Sequence, residues 1–218
     1  MTKGQILSFI TDIGIVPVVR TSSVESALKA VEAIYNGGIR AAEITMTVPG
    51  AIRALEKAAD AFGDRLVLGA GTVLDPETAR ACMLAGAEFF VSPNLKLATI
   101  EMAKRYSKVV MPGALTPTEV LTAWEAGADI VKVFPSDVTG PGYLKALLGP
   151  LPQVRLMPTG GVNLKTAADF LRAGACALGM GGALADPKAI AARDFGKIES
   201  VARQFVEIVK GVRGEGTV

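Results

Sequence analysis

Two ionisable residues sit where such residues are seldom placed. Lys132 occupies the run Asp129-Ile130-Val131-Lys132-Val133-Phe134-Pro135, and Glu43 occupies Ala41-Ala42-Glu43-Ile44-Thr45-Met46, each with apolar neighbours on both sides. A lysine in such a run either carries its head to water along its own stem or is desolvated. In the second case its pKa falls and the neutral amine becomes a nucleophile toward a carbonyl. A carboxylate in such a run either pairs in a buried salt bridge, for which Lys132 is one candidate, or works as a general acid and base beside the amine. An amine and an acid side by side are what imine chemistry requires. The chain has no histidine, which excludes Ser-His-Asp and Cys-His mechanisms and imidazole metal ligation. With no clustered carboxylates either, neither a metal nor any other cofactor is expected.

Other segments are suited to holding a ligand. Thr159-Gly160-Gly161-Val162-Asn163 and Gly179-Met180-Gly181-Gly182-Ala183-Leu184 are either phosphate cradles built from backbone N–H groups or simply tight turns. Gly69-Ala70-Gly71-Thr72-Val73 and Ser92-Pro93-Asn94 either line a pocket with a hydroxyl and a rigid wall or serve as turns and helix caps. Arg20, closing Val16-Pro17-Val18-Val19, suits a substrate carboxylate, although a surface arginine at a strand end is nearly as good a reading.

These residues need a scaffold, and the sequence describes one. An alanine-rich helix stopped by glycine and followed by an apolar strand recurs at Asn36 to Ile44, Leu84 to Val91, Glu125 to Val131 and Arg172 to Leu178. Further strands are predicted over Ile13–Val19, Arg65–Ala70, Lys108–Met111 and Val154–Met157, eight in all. Helices are predicted over Val24–Tyr35, Gly50–Ala61, Pro76–Ala85, Leu95–Arg105, Pro117–Ala126, Gly142–Leu148, Leu164–Ala173 and Ile198–Val209. Caps are expected at Asp75, Thr116 and Asn163. Strict alternation of apolar strands with helices indicates a parallel sheet covered by helices. Eight pairs in one domain, residues 1–218, point to a compact (β/α)8 TIM barrel, with an extra amphipathic helix at Thr2–Thr11 closing its bottom and a frayed tail over 212–218. An open doubly wound sheet is the alternative. In a barrel the site lies at the carboxyl ends of the strands, where Arg20, Glu43, Thr72, Pro93, Lys132, Thr159 and the two glycine turns all fall.

Composition narrows the partners. The 218 residues are 50% hydrophobic and 20% charged, with a formal net charge of +2 and no basic segment, so no nucleic acid or membrane partner is expected. The longest uncharged stretch, Ala173–Ala185, is too short to span a bilayer, and the first twenty residues do not read as a signal peptide. Two cysteines in alanine-rich surroundings, Cys82 and Cys176, fit a reducing cytoplasm. The mean hydropathy of +0.39 fits a large core and a buried subunit interface.

The motifs Gly14-Ile15-Val16-Pro17-Val18-Val19-Arg20, Ala42-Glu43-Ile44-Thr45, Gly69-Ala70-Gly71-Thr72-Val73, Phe90-Val91-Ser92-Pro93, Pro112-Gly113, Val131-Lys132-Val133-Phe134-Pro135 and Pro158-Thr159-Gly160-Gly161-Val162 resemble, in order and spacing, those of the 2-keto-3-deoxy-6-phosphogluconate (KDPG) / 4-hydroxy-2-oxoglutarate (KHG) aldolases. The resemblance runs from Ile6 to Pro187. It implies a (β/α)8 barrel, usually trimeric, that cleaves a small and commonly phosphorylated 2-oxo acid by class I chemistry without a metal. It further implies a Schiff base at Lys132, an acid/base at Glu43, a pocket lined by Thr72, Pro93, Phe134 and Thr159, and phosphate held by Gly160, Gly161, Gly181 and Gly182. Two departures stand out. The family's arginine four residues after the acid, in Glu-Val-Thr-Leu-Arg-Thr, is Thr47 here, which shifts carboxylate binding toward Arg20. The family's frequent Gly-Ser is Gly181-Gly182, which removes a hydroxyl from the phosphate turn. Isomerase, epimerase or synthase chemistry on a similar barrel, and a non-catalytic metabolite binder, are the alternative functions.

Overall fold

The computed structural model describes residues 1–215. Its elements run α1 (Lys3–Ile13), β1 (Ile15–Val19), α2 (Val24–Asn36), β2 (Ala41–Thr45), α3 (Ala51–Phe62), a 3-10 turn (Gly63–Arg65), β3 (Val67–Gly71), α4 (Pro76–Leu84), β4 (Phe89–Val91), α5 (Leu97–Arg105), β5 (Val109–Met111), β6 (Gly113–Ala114), α6 (Pro117–Glu125), β7 (Val131–Val133), α7 (Gly140–Leu148), β8 (Leu156–Pro158), α8 (Ala167–Arg172), β9 (Leu178–Met180), α9 (Pro187–Ala191) and α10 (Phe195–Gly214). All strand pairs are parallel, as alternation with helices requires. A curled six-stranded sheet has the order β5-β4-β3-β2-β1-β9, and β6-β7-β8 form a three-stranded sheet.

The expected eight strands are therefore nine, in two ladders. The fifth predicted strand, Lys108–Met111, is β5, and Pro112, which has no N–H to give, separates it from the unforeseen two-residue β6. Its carbonyl still accepts from Lys132 N at 2.9 Å, and Val110 O accepts from Asp129 N at 3.0 Å. An isolated parallel bridge pairs Thr159 with Gly179, joining the end of β8 to β9.

The recurring glycine phrase acts as a helix stop. Gly86 N–H donates to Met83 O and Ala87 N–H to Cys82 O, the two reverse bonds of a Schellman cap. The same pair of bonds recurs at Gly38, Gly127 and Gly174, all at φ between 95° and 101°. Asp75 and Thr116 cap α4 and α6 as expected. Asn163 does not cap α8. Its Oδ1 instead accepts from Lys165 N at 2.9 Å in a turn ahead of that helix, which begins only at Ala167. The short α9, capped by Asp186, was not foreseen, because five residues are too few to show a helical period. The expected tail is also corrected. Residues 212–214 belong to α10, where the Arg213 guanidinium donates to the carbonyls of Thr11, Asp12 and Cys176. Residues 216–218 lie outside the described part.

Alternation along the strands sorts the core into two layers. Ile15, Val19, Ala42, Ile44, Leu68, Ala70, Phe90, Val110, Val131 and Val133 face outward and pack beneath the helices. Val16, Ala41, Val67, Phe89, Val91, Val109, Met111, Ile130, Met157 and Ala177 face into the curl, where Ile6 and Ile10 of α1 join them. These two are one helical turn apart and fully buried, so α1 closes the floor as its amphipathic pattern suggested. Lys3 ties the helix down through an ion pair to Asp129 at 2.9 Å.

The floor is tightly filled. A Cβ at Gly69 would overlap the Phe89 ring, which occupies the space over that residue. Gly69→Ala is expected to destabilise the fold by roughly 1–3 kcal/mol through overpacking. The measurement is urea unfolding; an unchanged midpoint and slope would show that the ring has somewhere else to go.

Candidate active site

The period of two that builds the floor also places the two ionisable groups. Glu43 follows Ala41 by two residues on β2, and Lys132 follows Ile130 by two at β7, so both side chains stand on the inner face one layer above the apolar floor. Glu43 is aligned with Val18 on one side and Gly69 on the other. Lys132 is aligned with Gly113 and Met157.

Both groups are desolvated. Glu43 is 1% exposed and Lys132 7%. Burial pushes the Glu43 carboxyl up to about 7, and the positive charges of Lys132 and Arg20 keep it from rising further. Burial pulls the Lys132 amine below its ordinary value; Glu43 opposes that shift and Arg20 adds to it. The salt bridge allowed by the sequence does not form. The two groups interact through charge alone, and Glu43 Oε2 is left without a hydrogen-bond partner. Lys132 Nζ lies 4.8 Å from the centroid of the Phe134 ring, whose face favours the charged amine.

Above them opens a cavity of about 490 Å³. Lys132 lines it, and so do Arg20, Thr72, Pro93, Phe134, Thr159, Gly160, Gly161, Gly181 and Gly182, every residue expected to bind substrate. Glu43 is not part of the wall; it lies beneath. Thr72 holds φ at 56°, a strained conformation for a β-branched residue. Thr159 Oγ1 is buried without a partner. Gly160 and Gly161 take φ of 92° and 70°, which only glycine adopts freely.

The sequence reading missed Val18, Ala185 and Pro187 in the wall, since nothing in their type distinguishes them from core residues. It marked position 47 only for the arginine it lacks and gave Thr47 itself no part in the site. Thr47 lines the cavity, and its hydroxyl lies 2.7 Å from that of the buried Thr45. Alternation along β2 and its extension was the available signal.

A parallel α/β protein with a desolvated amine and an unpaired acid at the carboxyl ends of its strands is the class that this geometry defines. The chain belongs to the family described as KDPG and KHG aldolase, whose model matches residues 6–201. The 2-dehydro-3-deoxy-6-phosphogalactonate aldolase of Escherichia coli is 35% identical over 204 residues, covering 93% of this chain and 96% of that one. The 2-dehydro-3-deoxy-phosphogluconate aldolase of Pseudomonas aeruginosa is 35% identical over 195 residues, 88% of each chain. A solved KDPG aldolase from Legionella pneumophila, with pyruvate captured at low pH as a covalent carbinolamine intermediate, is similar with a TM-score of 0.84 and 29% identity, covering 93% of this chain and 97% of that one.

The carboxyl's elevation makes a stability prediction. Below pH 4.5 Glu43 is protonated in both folded and unfolded chains; between 4.5 and about 7 the unfolded chain ionises first. The folded state therefore loses stability as pH rises through that window, by up to about 3 kcal/mol. Glu43→Gln removes the titration, so its melting temperature is expected to gain on the parent's from pH 4.5 to 7 and then level off. A difference independent of pH would mean that the carboxyl is not held neutral.

Proposed function

We propose that this chain is a class I aldolase that cleaves KDPG to pyruvate and glyceraldehyde 3-phosphate, KHG to pyruvate and glyoxylate, or both. The observation that carries the reading is the desolvated Lys132 amine beside an unpaired, buried Glu43 at one end of the sheet. The neutral amine attacks the C2 ketone to give a carbinolamine. Loss of water, helped by a proton from Glu43, leaves a protonated imine. Glu43, now a carboxylate, takes the C4 hydroxyl proton through a water; C3–C4 breaks, the aldehyde forms, and the bonding pair enters the imine to give an enamine. The same proton returns to C3, and hydrolysis releases pyruvate and the amine. A carboxyl near 7 can both give and take protons at neutral pH.

The rest of the reading assigns the wall. Arg20 holds the substrate carboxylate, Thr72, Pro93, Phe134 and Thr159 shape the pocket, and the turns Gly160-Gly161 and Gly181-Gly182 hold the phosphate. The protonated imine is the electron sink, so no metal is required. Among the described residues there is no group of three or more His, Cys, Asp or Glu placed together. We further read residues 1–218 as one (β/α)8 barrel, with β5 and β6 as a single strand; the bonds across Pro112 and the Thr159–Gly179 bridge support closure. A homotrimer in the cytoplasm completes the proposal. The family resemblance and the apolar composition support the trimer, and two free cysteines suit a reducing compartment. Among the described residues no helix is long and apolar enough to cross a membrane.

Treatment with pyruvate and borohydride in the presence of EDTA is expected to leave a pyruvyl adduct on the Lys132 peptide, read by mass. Lys132→Ala should give none, and Glu43→Gln should lower kcat for release of pyruvate by about 10²–10⁴-fold. An unlabelled Lys132 in the parent refutes the mechanism.

Substrate choice rests on the glycine turns. Gly182 offers the phosphate no hydroxyl, and each missing contact of that kind costs about 0.5–1.5 kcal/mol. A Cβ at Gly182 would meet only Pro187 Cδ at 3.6 Å, so a serine fits there. KDPG is expected to have the higher kcat/KM, and Gly182→Ser to widen its margin over KHG roughly 2–10-fold. An equal or reversed preference in the parent would make the turns structural.

A further inference from the structure

We propose that Gly71 is a positioning residue for the reaction: the side chain it lacks is the space in which the Glu43 carboxyl is seated. The proposal rests on the acid/base role assigned to Glu43 above. Gly71 ends β3 and is aligned with Thr45, two residues beyond Glu43 on the neighbouring strand. Its own backbone gives no reason for glycine, since it is a strand residue and is absent from the glycines that take positive φ. The reason lies across the ladder. A Cβ at position 71 would overlap Glu43 Oε1, lie 2.7 Å from the carboxyl carbon and 3.2 Å from Thr45 Cγ2.

The carboxyl has no downward escape from such a methyl group. Gly69, aligned with Glu43, is covered by the Phe89 ring, so the layer below is full. The acid moves instead toward the open cavity and its water. There it leaves the pocket that desolvates it, while the charged groups that face it, Lys132 from β7 and Arg20 from the end of β1, continue to favour its ionised form. A carboxyl displaced by even an ångström is misplaced for proton transfer, at a cost of up to about 10²-fold in rate. Substrate binding does not use Gly71, so KM is much less affected.

The test compares Gly71→Ala with the parent in KDPG cleavage. Expected are a kcat lower by roughly 10–100-fold, a smaller change in KM, and the limb of the kcat/KM–pH profile set by Glu43, which reports the free enzyme, displaced from near 7 toward the ordinary carboxylate range. The borohydride adduct on Lys132 should persist. An adduct missing from the parent therefore condemns the imine reading, whereas an adduct with an unmoved limb condemns this one. Gly69→Ala, two residues along the same strand, is the structural control: it should lower stability and leave the limb in place. Should Gly71→Ala not fold, Glu43→Asp/Gly71→Ala carries the test, because the shorter acid clears the methyl group. In the Glu43→Asp background the added Gly71→Ala is expected to cost less, in both melting temperature and kcat, than it costs the parent. Equal costs in the two backgrounds, an unchanged kcat and limb in Gly71→Ala, or an equal limb shift in Gly69→Ala would each overturn the proposal.

Discussion

Holding an amine and a carboxyl in one apolar enclosure without letting them pair is the constraint around which this molecule is arranged. Bringing either group out of water is unfavourable, and a direct ion pair would offset part of that cost by fixing both charges. Instead Glu43 and Lys132 sit on separate strands, shift toward neutrality by burial, and feel one another only through the field. A neutral amine and a protonated acid are the forms that a low-dielectric pocket favours, and they are also the forms that start imine chemistry. The surrounding fold supplies the stability that this arrangement gives up, through the apolar layers packed beneath the helices and in the floor of the curl.

Arg20 is coupled to both groups. It is exposed at the end of β1, yet its charge lowers both the acid and the amine. A cation at the rim thus makes the buried amine easier to deprotonate while offering a charge to an incoming anion. In the proposed reaction a substrate carboxylate held by Arg20 would offset that charge at the amine. Thr47, a neutral residue in the cavity wall, adds no second charge to this balance.

Most of the scaffold was legible in the sequence because its signals are local. The glycine stops of α2, α4, α6 and α8 rest on a backbone conformation that a single residue type favours, and the caps at Asp75 and Thr116 rest on hydrogen bonds within four residues. Lys132 and Glu43 were legible because an ionisable group in an apolar strand conflicts with its surroundings. What escaped depends on neighbours distant in the chain. Arg213 holds the end of α10 by carbonyls some 200 residues away. The split at Pro112 depends on which ladder needs an N–H at that point. The role of Gly71 is set by an acid on another strand, and the glycine-rich motif around it reads equally well as a turn.

The plug formed by α1 and the inward side chains has a consequence for traffic. With Ile6, Ile10, Phe89, Met111 and Met157 filling the floor, the cavity has no back door on that side. In the proposed reaction the aldehyde sits between the enamine and the solvent until it leaves. The aldehyde must leave first because the other fragment is still bound to Lys132 as the enamine, and the closed floor gives the water for hydrolysis no way in from below.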